Sequence, residues 1–373
     1  MKITGVETYW TRIPFDMGAK PAAMAGLQWQ GMNTVWLRIL TDAGIDGWGE
    51  AFGHGCSAAS LAVLDTQLAP ALPGQDARDI SGLRHRLSQA FHLYGRNGTH
   101  AFALSALDIA LWDIAGKAAN QPLWRLLGGA PAETLAAYAS LLRYPDPAQV
   151  AAACERAASR GYRDVKLHEI TTPAIAAARK ALGDGVRLMV DVNCPWTIWQ
   201  ALDMTRDLAE LDLAWLEEPV WPPGDHEGLA RVRLEGGIPI AAGENAAGLH
   251  DFRAAFEAEA QDIAQPSVTK IGGPSAMIEV AALARAFGVR LVPHNAYFGA
   301  GYLASLHVNA ALAPDAPFER LFVDLEASPY GDLLEAKDGT VPVPAGAGLG
   351  RDPDMAVLRR YLVQEPRTHS AAK

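Results

Sequence analysis

Between Lys166 and His294 the sequence repeatedly ends a short apolar run with an ionisable side chain, and the runs recur at a nearly constant interval. They are RDVKLHE (163–169), VRLMVDVN (186–193), LAWLEEP (213–219), IPIAAGEN (238–245), DIAQPSVTKIGG (262–273) and VRLVPHN (289–295). Asp191 stands 25 residues after Lys166, Glu217 stands 26 after Asp191, Glu244 stands 27 after Glu217, and His294 stands 27 after Ser267. Such an interval holds one strand, one helix and two loops. The intervening segments are Ala-rich with apolar residues at helical spacing, as in 172–185 and 274–289. At least six βα units in tandem, with strands rich in Val, Ile and Leu, favour an α/β fold built on a closed parallel barrel of the TIM (β/α)8 type. In that architecture chemistry sits at the C-terminal ends of the strands, which is where these charged residues fall.

A barrel takes roughly 250 residues, so a chain of 373 leaves material for a further domain. The remainder divides around the barrel. Residues 1–128 read as an α+β capping domain, 129–332 as the barrel, and 333–373 as a segment returning to the cap. The first 52 residues carry the alternation and turn signals of an antiparallel meander. Within it, DMGAKPAAMAGLQWQGM (16–32) is expected to be a lid that brings Trp29 over a substrate, with the segment around His54 as a second wall. A helical stretch follows, in which Asp108 and Asp113 interrupt an apolar surface. They are expected to hydrogen-bond at the domain seam rather than to act in catalysis. The first barrel strand is expected near 136–140, and the last strand over 320–328, carrying Asp324 and Glu326; these two and Glu319 are alternatives for the eighth-strand electrophile.

The formal charge of −10, with Lys and Arg scattered, argues against a nucleic-acid or anionic-membrane partner. Three cysteines without metal-type spacing give no disulfide framework, and no stretch approaches the roughly 18 apolar residues of a membrane span. The expectation is a cytoplasmic protein, assembled as a homo-oligomer, whose partner is a small carboxylate. No P-loop, G-x-G-x-x-G or nucleophile-elbow motif occurs in the context it requires.

Asp191, Glu217 and Glu244 end three successive strands, and neighbouring strands lie about 4.8 Å apart, so the carboxylates can converge. Gathered together they repel unless a cation neutralises them, and an oxygen-only set suits Mg²⁺ or Mn²⁺ rather than zinc. Lys166 and His168 share one strand face, while Lys270 and His294 come from the sixth and seventh strands. A metal flanked by such groups suits removal of the proton α to a carboxylate. Asn193 and Asn295 add polar groups for the substrate.

These residues bring the chain to a family. Through ALSALDIALWDIAGK, Lys166-Leu-His168, Asp191-Val-Asn193, Leu216-Glu217-Glu218-Pro219, Gly243-Glu244-Asn245, Lys270-Ile-Gly-Gly and Pro293-His294-Asn295, it resembles the mandelate racemase and muconate lactonizing enzyme branch of the enolase superfamily. The resemblance implies a modified barrel capped by an α+β domain built from both termini, with essential Mg²⁺ on Asp191, Glu217 and Glu244. It implies α-proton abstraction through a metal-stabilised enediolate, by a Lys or His base. Two departures matter. The family's usual second lysine of Lys-x-Lys is His168 here, and its usual Asp, which orients the seventh-strand His, is Ser267. With His294 less firmly held as a base, dehydration of a sugar acid to a 2-keto-3-deoxy acid is the favoured expectation. Racemisation or epimerisation is the alternative, followed by cycloisomerisation or a non-catalytic member.

Overall fold

The computed structural model describes residues 1–20, 23–24, 27–29 and 31–370. Eight parallel strands form its centre: Thr134–Ser140, Asp164–Leu167, Arg187–Asp191, Leu213–Glu217, Ile240–Ala242, Ile263–Ala264, Arg290–Leu291 and Phe318–Leu321. From the first to the seventh, each strand pairs with its sequence neighbour, and the eighth pairs with the first, Phe318 to Leu321 matching Ala137 to Ser140. Between the seventh and eighth strands no ladder is present among the described residues. There Asn295 makes the join, its backbone N–H donating to Glu319 Oε2 at 2.9 Å and its Nδ2 to the Glu319 carbonyl at 3.1 Å.

Strand alternation builds the interior in two layers. Tyr138, Met189 and Trp215 fill the barrel floor with Ala241, Ile263 and Val292. Two residues further along the same strands, and so on the same face, stand Ser140, Asp191 and Glu217. The apolar floor thus fixes the height at which the polar layer begins, and cutting Trp215 to Ala would cost about 3–5 kcal/mol through the void it leaves.

The helices form where the loops supply caps. Asp146 Oδ1 accepts from the Gln149 N–H to start Pro147–Ser159, Thr197 and Gln200 form a reciprocal box ahead of Ile198–Leu208, and Asp225 accepts from the Gly228 N–H. Gly237 and Gly288, both left-handed, end two helices. Seven helices follow the first seven strands, and none of them follows the eighth. The apolar run from Arg320 therefore does not continue as a barrel strand to Ser328. Its second half leaves the barrel, and Asp324–Leu325 pairs antiparallel with Phe15 and Asp16 of the cap.

The cap is an antiparallel sheet of Ile3–Asp16, Gly31–Thr41 and Gly47–Ala51, with Arg367–Ser370 returning to the free edge of the first strand. Helix Thr99–Ala119 lies so close to the last of these that a Cβ at Gly49 would collide with the Ala106 carbonyl. The tail serves both bodies, because Thr340–Pro342 also pairs with the base of the first barrel strand. Two buried carboxylates of the cap sit at the starts of barrel helices. Asp108 accepts from the Ser275 N–H and hydroxyl at 2.8 and 2.7 Å, and Glu50 accepts from the Gly301 N–H at 2.8 Å. A carboxylate there meets the orphan N–H groups and positive end of the helix. Burial pushes Asp108 up to about 6 and Glu50 up to about 8, the backbone donors pulling the other way. Asp113 likewise receives the N–H groups of Trp48 and Leu349 and the ammonium of Lys117.

Candidate active site

The strand ends bring Asp191, Glu217 and Glu244 together, with one oxygen from each lying within 4.8 Å of the others. Lys166 stands beneath them, fully buried. Its Nζ lies 2.9 Å from Glu217 Oε1, 2.9 Å from Glu319 Oε1 and 3.5 Å from Asp191 Oδ2. Burial works against its charge, but these carboxylates hold its pKa well above the ordinary lysine value. It is thus a fixed cation, and it does not line the cavity above. Glu217 is further held by Trp215 Nε1 at 3.0 Å and Gln265 Nε2 at 2.8 Å on Oε2. Burial and the neighbouring carboxylates push Glu217 up to about 7, against Lys166.

The donor set fits a hard divalent cation. Asp191 Oδ2 is buried without a hydrogen bond, approached only by the longer ion-pair contacts of Lys166 at 3.5 Å and His168 at 3.3 Å, and the three groups offer oxygen alone, the chemistry that Mg²⁺ prefers. Among the described residues this is the one cluster of His, Cys, Asp or Glu arranged to hold a metal.

Two imidazoles enter from opposite sides of the set and are held differently. His168, just past the second strand, places Nδ1 2.6 Å from the Leu141 carbonyl and Nε2 3.3 Å from Asp191 Oδ2. Nδ1 must carry a proton to donate to that carbonyl, so the exchangeable position is Nε2. Burial opposes charging His168, but Asp191 outweighs it and the pKa is raised. His294, three residues past the seventh strand, places Nε2 2.8 Å from Glu244 Oε2, while its buried Nδ1 has no partner. Ser267 turns to Tyr297 instead, whose hydroxyl lies 3.0 Å from Ser267 Oγ and donates to the His294 carbonyl at 3.2 Å. Tyr297 fixes the backbone of His294 rather than its ring.

Lys270 lies in the turn after the sixth strand, not on it. Its Nζ donates to Asn245 Oδ1 at 2.8 Å, stands 3.5 Å from Glu244 and sits over the Phe52 ring. Burial would raise Glu244, but Lys270 and His294 hold it well below the usual carboxylate range. Glu218, with left-handed φ of 48°, is burdened by burial and by Glu244, and its pKa is raised well above normal. Asn193 and Cys194 are also left-handed, at 54° and 55°, so strained backbone gathers at this rim.

Above these groups opens a cavity of about 640 Å³ lined by His168, Asn193, Glu244, Lys270, His294 and Glu319 from the barrel and by Trp29, Phe52 and His54 from the cap. Trp29 stacks on His54 with ring centroids 4.4 Å apart, and His54 Nε2 donates to the Ala296 carbonyl at 2.5 Å. Burial depresses His54 to about 4. Five positions of the expected lid, 21–22, 25–26 and 30, lie outside the described residues. Asn295 reaches Glu319 rather than the cavity. Asp324 pairs with Arg160 and Glu326 with Tyr361 on the outer surface, so neither belongs to the site. The eighth-strand residue is Glu319, which stands 25 residues after His294, the interval that could have found it. Glu319 was one of three alternatives in the sequence, whereas Arg143, Tyr297, Trp215 and Gln265 were missed. No helix among the described residues is long and apolar enough to cross a membrane.

Residues 7–128 match the mandelate racemase / muconate lactonizing enzyme N-terminal domain, and residues 149–357 match the enolase C-terminal domain-like family. The chain is 33% identical to a D-galactarolactone cycloisomerase of Agrobacterium fabrum, over 98% of this chain and 100% of that one. It is 36% identical to a 3,6-anhydro-alpha-L-galactonate cycloisomerase of Streptomyces coelicolor, covering 88% and 91%. It is 31% identical to an arabinonate dehydratase of Saccharolobus solfataricus, covering 91% and 93%. Two solved structures that resemble it contain magnesium. One is a racemase from Streptomyces coelicolor (31% identity, TM-score 0.85, 97% and 100% covered) and the other an L-talarate dehydratase from Polaromonas with L-glucarate (26%, 0.83, 100% and 99%). The chain belongs to the mandelate racemase / muconate lactonizing enzyme branch of the enolase superfamily.

Proposed function

We propose that this chain dehydrates a sugar acid, with His168 as base, His294 as acid, and a divalent cation on Asp191, Glu217 and Glu244. The observation that carries this reading is the unequal support of the two imidazoles. His168 is gripped at Nδ1, so its Nε2 is the one atom at which it exchanges a proton. His294 places Nε2 2.8 Å from Glu244 Oε2, an acceptor, so Nε2 is the nitrogen that carries the proton, and its Nδ1 has no partner to anchor the ring. His168 Nε2 takes the α-proton and the electron pair passes into the substrate carboxylate. The pair returns to expel the β-hydroxyl, which leaves as water with the proton from His294 Nε2, and the enol tautomerises to the 2-keto acid. When bound, the cation supplies positive charge for the carboxylate as it gains that pair. Lys166 holds Glu217 and Glu319 in place and balances their charge. Lys270 and Asn245 position Glu244.

A second reading is cycloisomerisation, favoured by the identity to two cycloisomerases. It uses the same proton abstraction with a ring oxygen as the leaving group. Screening sugar acids, their lactones and anhydro-sugar acids with Mg²⁺ in D₂O separates these readings. Dehydration predicts a 2-keto-3-deoxy product from open-chain acids. Ring opening alone selects the cycloisomerase, and α-deuterium exchange without elimination selects a racemase or epimerase. We also read Mn²⁺ as a working substitute, and a homo-oligomeric, cytoplasmic protein.

A further inference from the structure

One cation of the cavity has no part in this chemistry. Arg143 follows the first barrel strand, outside the carboxylate set, and its side chain is half-buried in the cavity wall. Its Nε donates to the His168 carbonyl at 2.6 Å, which pins the guanidinium plane. No other hydrogen bond or ion pair of that guanidinium occurs among the described residues. Glu169, a neighbouring carboxylate, spends Oε1 on the Tyr144 N–H. The Nη1–Nη2 edge is thus left to the cavity. Lys166, Lys270, His168 and His294 are each paired with a carboxylate. Ser140, at the end of the strand that Arg143 follows, also lines the cavity, and its buried hydroxyl has no partner. Around Arg143 the wall is apolar, with Leu142, Ile170 and Leu321. The free edge of this half-buried guanidinium is a planar fork that matches a carboxylate.

We propose that Arg143 receives a second carboxylate, at the far end of the substrate from the reacting one, so that the preferred substrates are aldaric diacids rather than aldonic monoacids. This rests on the sugar-acid reading above and narrows it. The one anchored Nε explains why Arg143 can discriminate. A guanidinium fixed at one edge presents the other at a set place, and a terminal carboxylate completes it where a terminal CH₂OH does not.

The test compares matched pairs differing only at that terminus, galactarate with D-galactonate and D-glucarate with D-gluconate, each with Mg²⁺. Wild type is expected to show the higher kcat/KM on the diacid of the productive pair. In Arg143→Ala the diacid-to-monoacid ratio falls by about 100-fold, the scale of a lost charge-assisted pair, and the loss appears mainly in KM. Arg143→Lys recovers part of it. If wild type handles the monoacid as well as its diacid, this inference is overturned while the dehydratase reading stands. It is overturned in the same way if Arg143→Ala lowers both acids alike through kcat, which would make Arg143 a support for His168. If no acid is turned over or exchanges its α-proton, the functional reading falls and this inference with it.

Discussion

Among the places where the molecule buries acidic side chains, the barrel mouth and the seam between cap and barrel are treated differently. At the seam, Asp108, Asp113 and Glu50 are as deeply buried as Asp191 and Glu217, yet each stands alone. Each is satisfied by backbone N–H groups, joined at Asp108 by the Ser275 hydroxyl and at Asp113 by the Lys117 ammonium. At the mouth, three carboxylates meet within 4.8 Å and one of their oxygens has no hydrogen bond. Burial of charge is therefore not what marks the active site. Convergence is: a carboxylate held by backbone donors completes a fold, whereas carboxylates aimed at one another need something else to come and join them.

The comparison is broken most severely at the mouth. Glu217→Gln is expected to lower turnover by at least about 10³-fold while circular dichroism and the urea midpoint show the fold retained. Full activity would remove Glu217 from the chemistry. Next come the imidazoles. His168→Ala is expected to lose α-proton exchange and elimination together, by about 10²–10⁴-fold. His294→Ala is expected to keep measurable exchange into deuterium and lose elimination. Equal loss of both reactions in the two variants would contradict the division of roles.

At the seam the effect falls on stability. Glu50 is raised in the fold to about 8 from an ordinary 4.5, so the native state holds a proton that the unfolded chain has released. Its contribution is full below about pH 4.5 and is lost as pH rises towards 8. Glu50→Gln is expected to flatten the fall of the urea midpoint over that range and to leave turnover within the same order. An unchanged slope would mean that Glu50 is ionised in the fold. The smallest effect is at the surface, where Asp324→Ala removes the exposed pair with Arg160. It is expected to cost at most about 1 kcal/mol in urea unfolding and to change kcat/KM less than twofold.

The sequence made the barrel and the convergence of its three carboxylates legible because each βα unit spends a similar length, so that ionisable residues recur at a fixed interval. It misplaced the eighth strand for a local reason. Arg320 to Leu325 is one apolar run, but its two halves pair in different sheets, and no residue in it signals the exit. Asp324 and Glu326 followed that error outwards, and Glu319 stood only as one of three alternatives for the eighth strand. Tyr297 was invisible for another cause. It reaches Ser267 across the loop after the seventh strand, and contacts between loops leave no period. Arg143 follows the first strand, where the notable side chain stands in the loop rather than at the strand end. The seam roles of Asp108 and Asp113 were legible, since an acidic residue inside an apolar helix needs donors from outside it.

The most direct test of the distinction between mouth and seam is calorimetric titration of Mg²⁺ into wild type, Glu244→Gln and Glu50→Gln. Wild type and Glu50→Gln should bind one ion per chain with the same affinity, and Glu244→Gln should bind at least about 100-fold more weakly, one of three oxygen ligands having lost its charge. Undiminished affinity in Glu244→Gln, or an equal loss in Glu50→Gln, would contradict the assignment of the cation to the converging carboxylates.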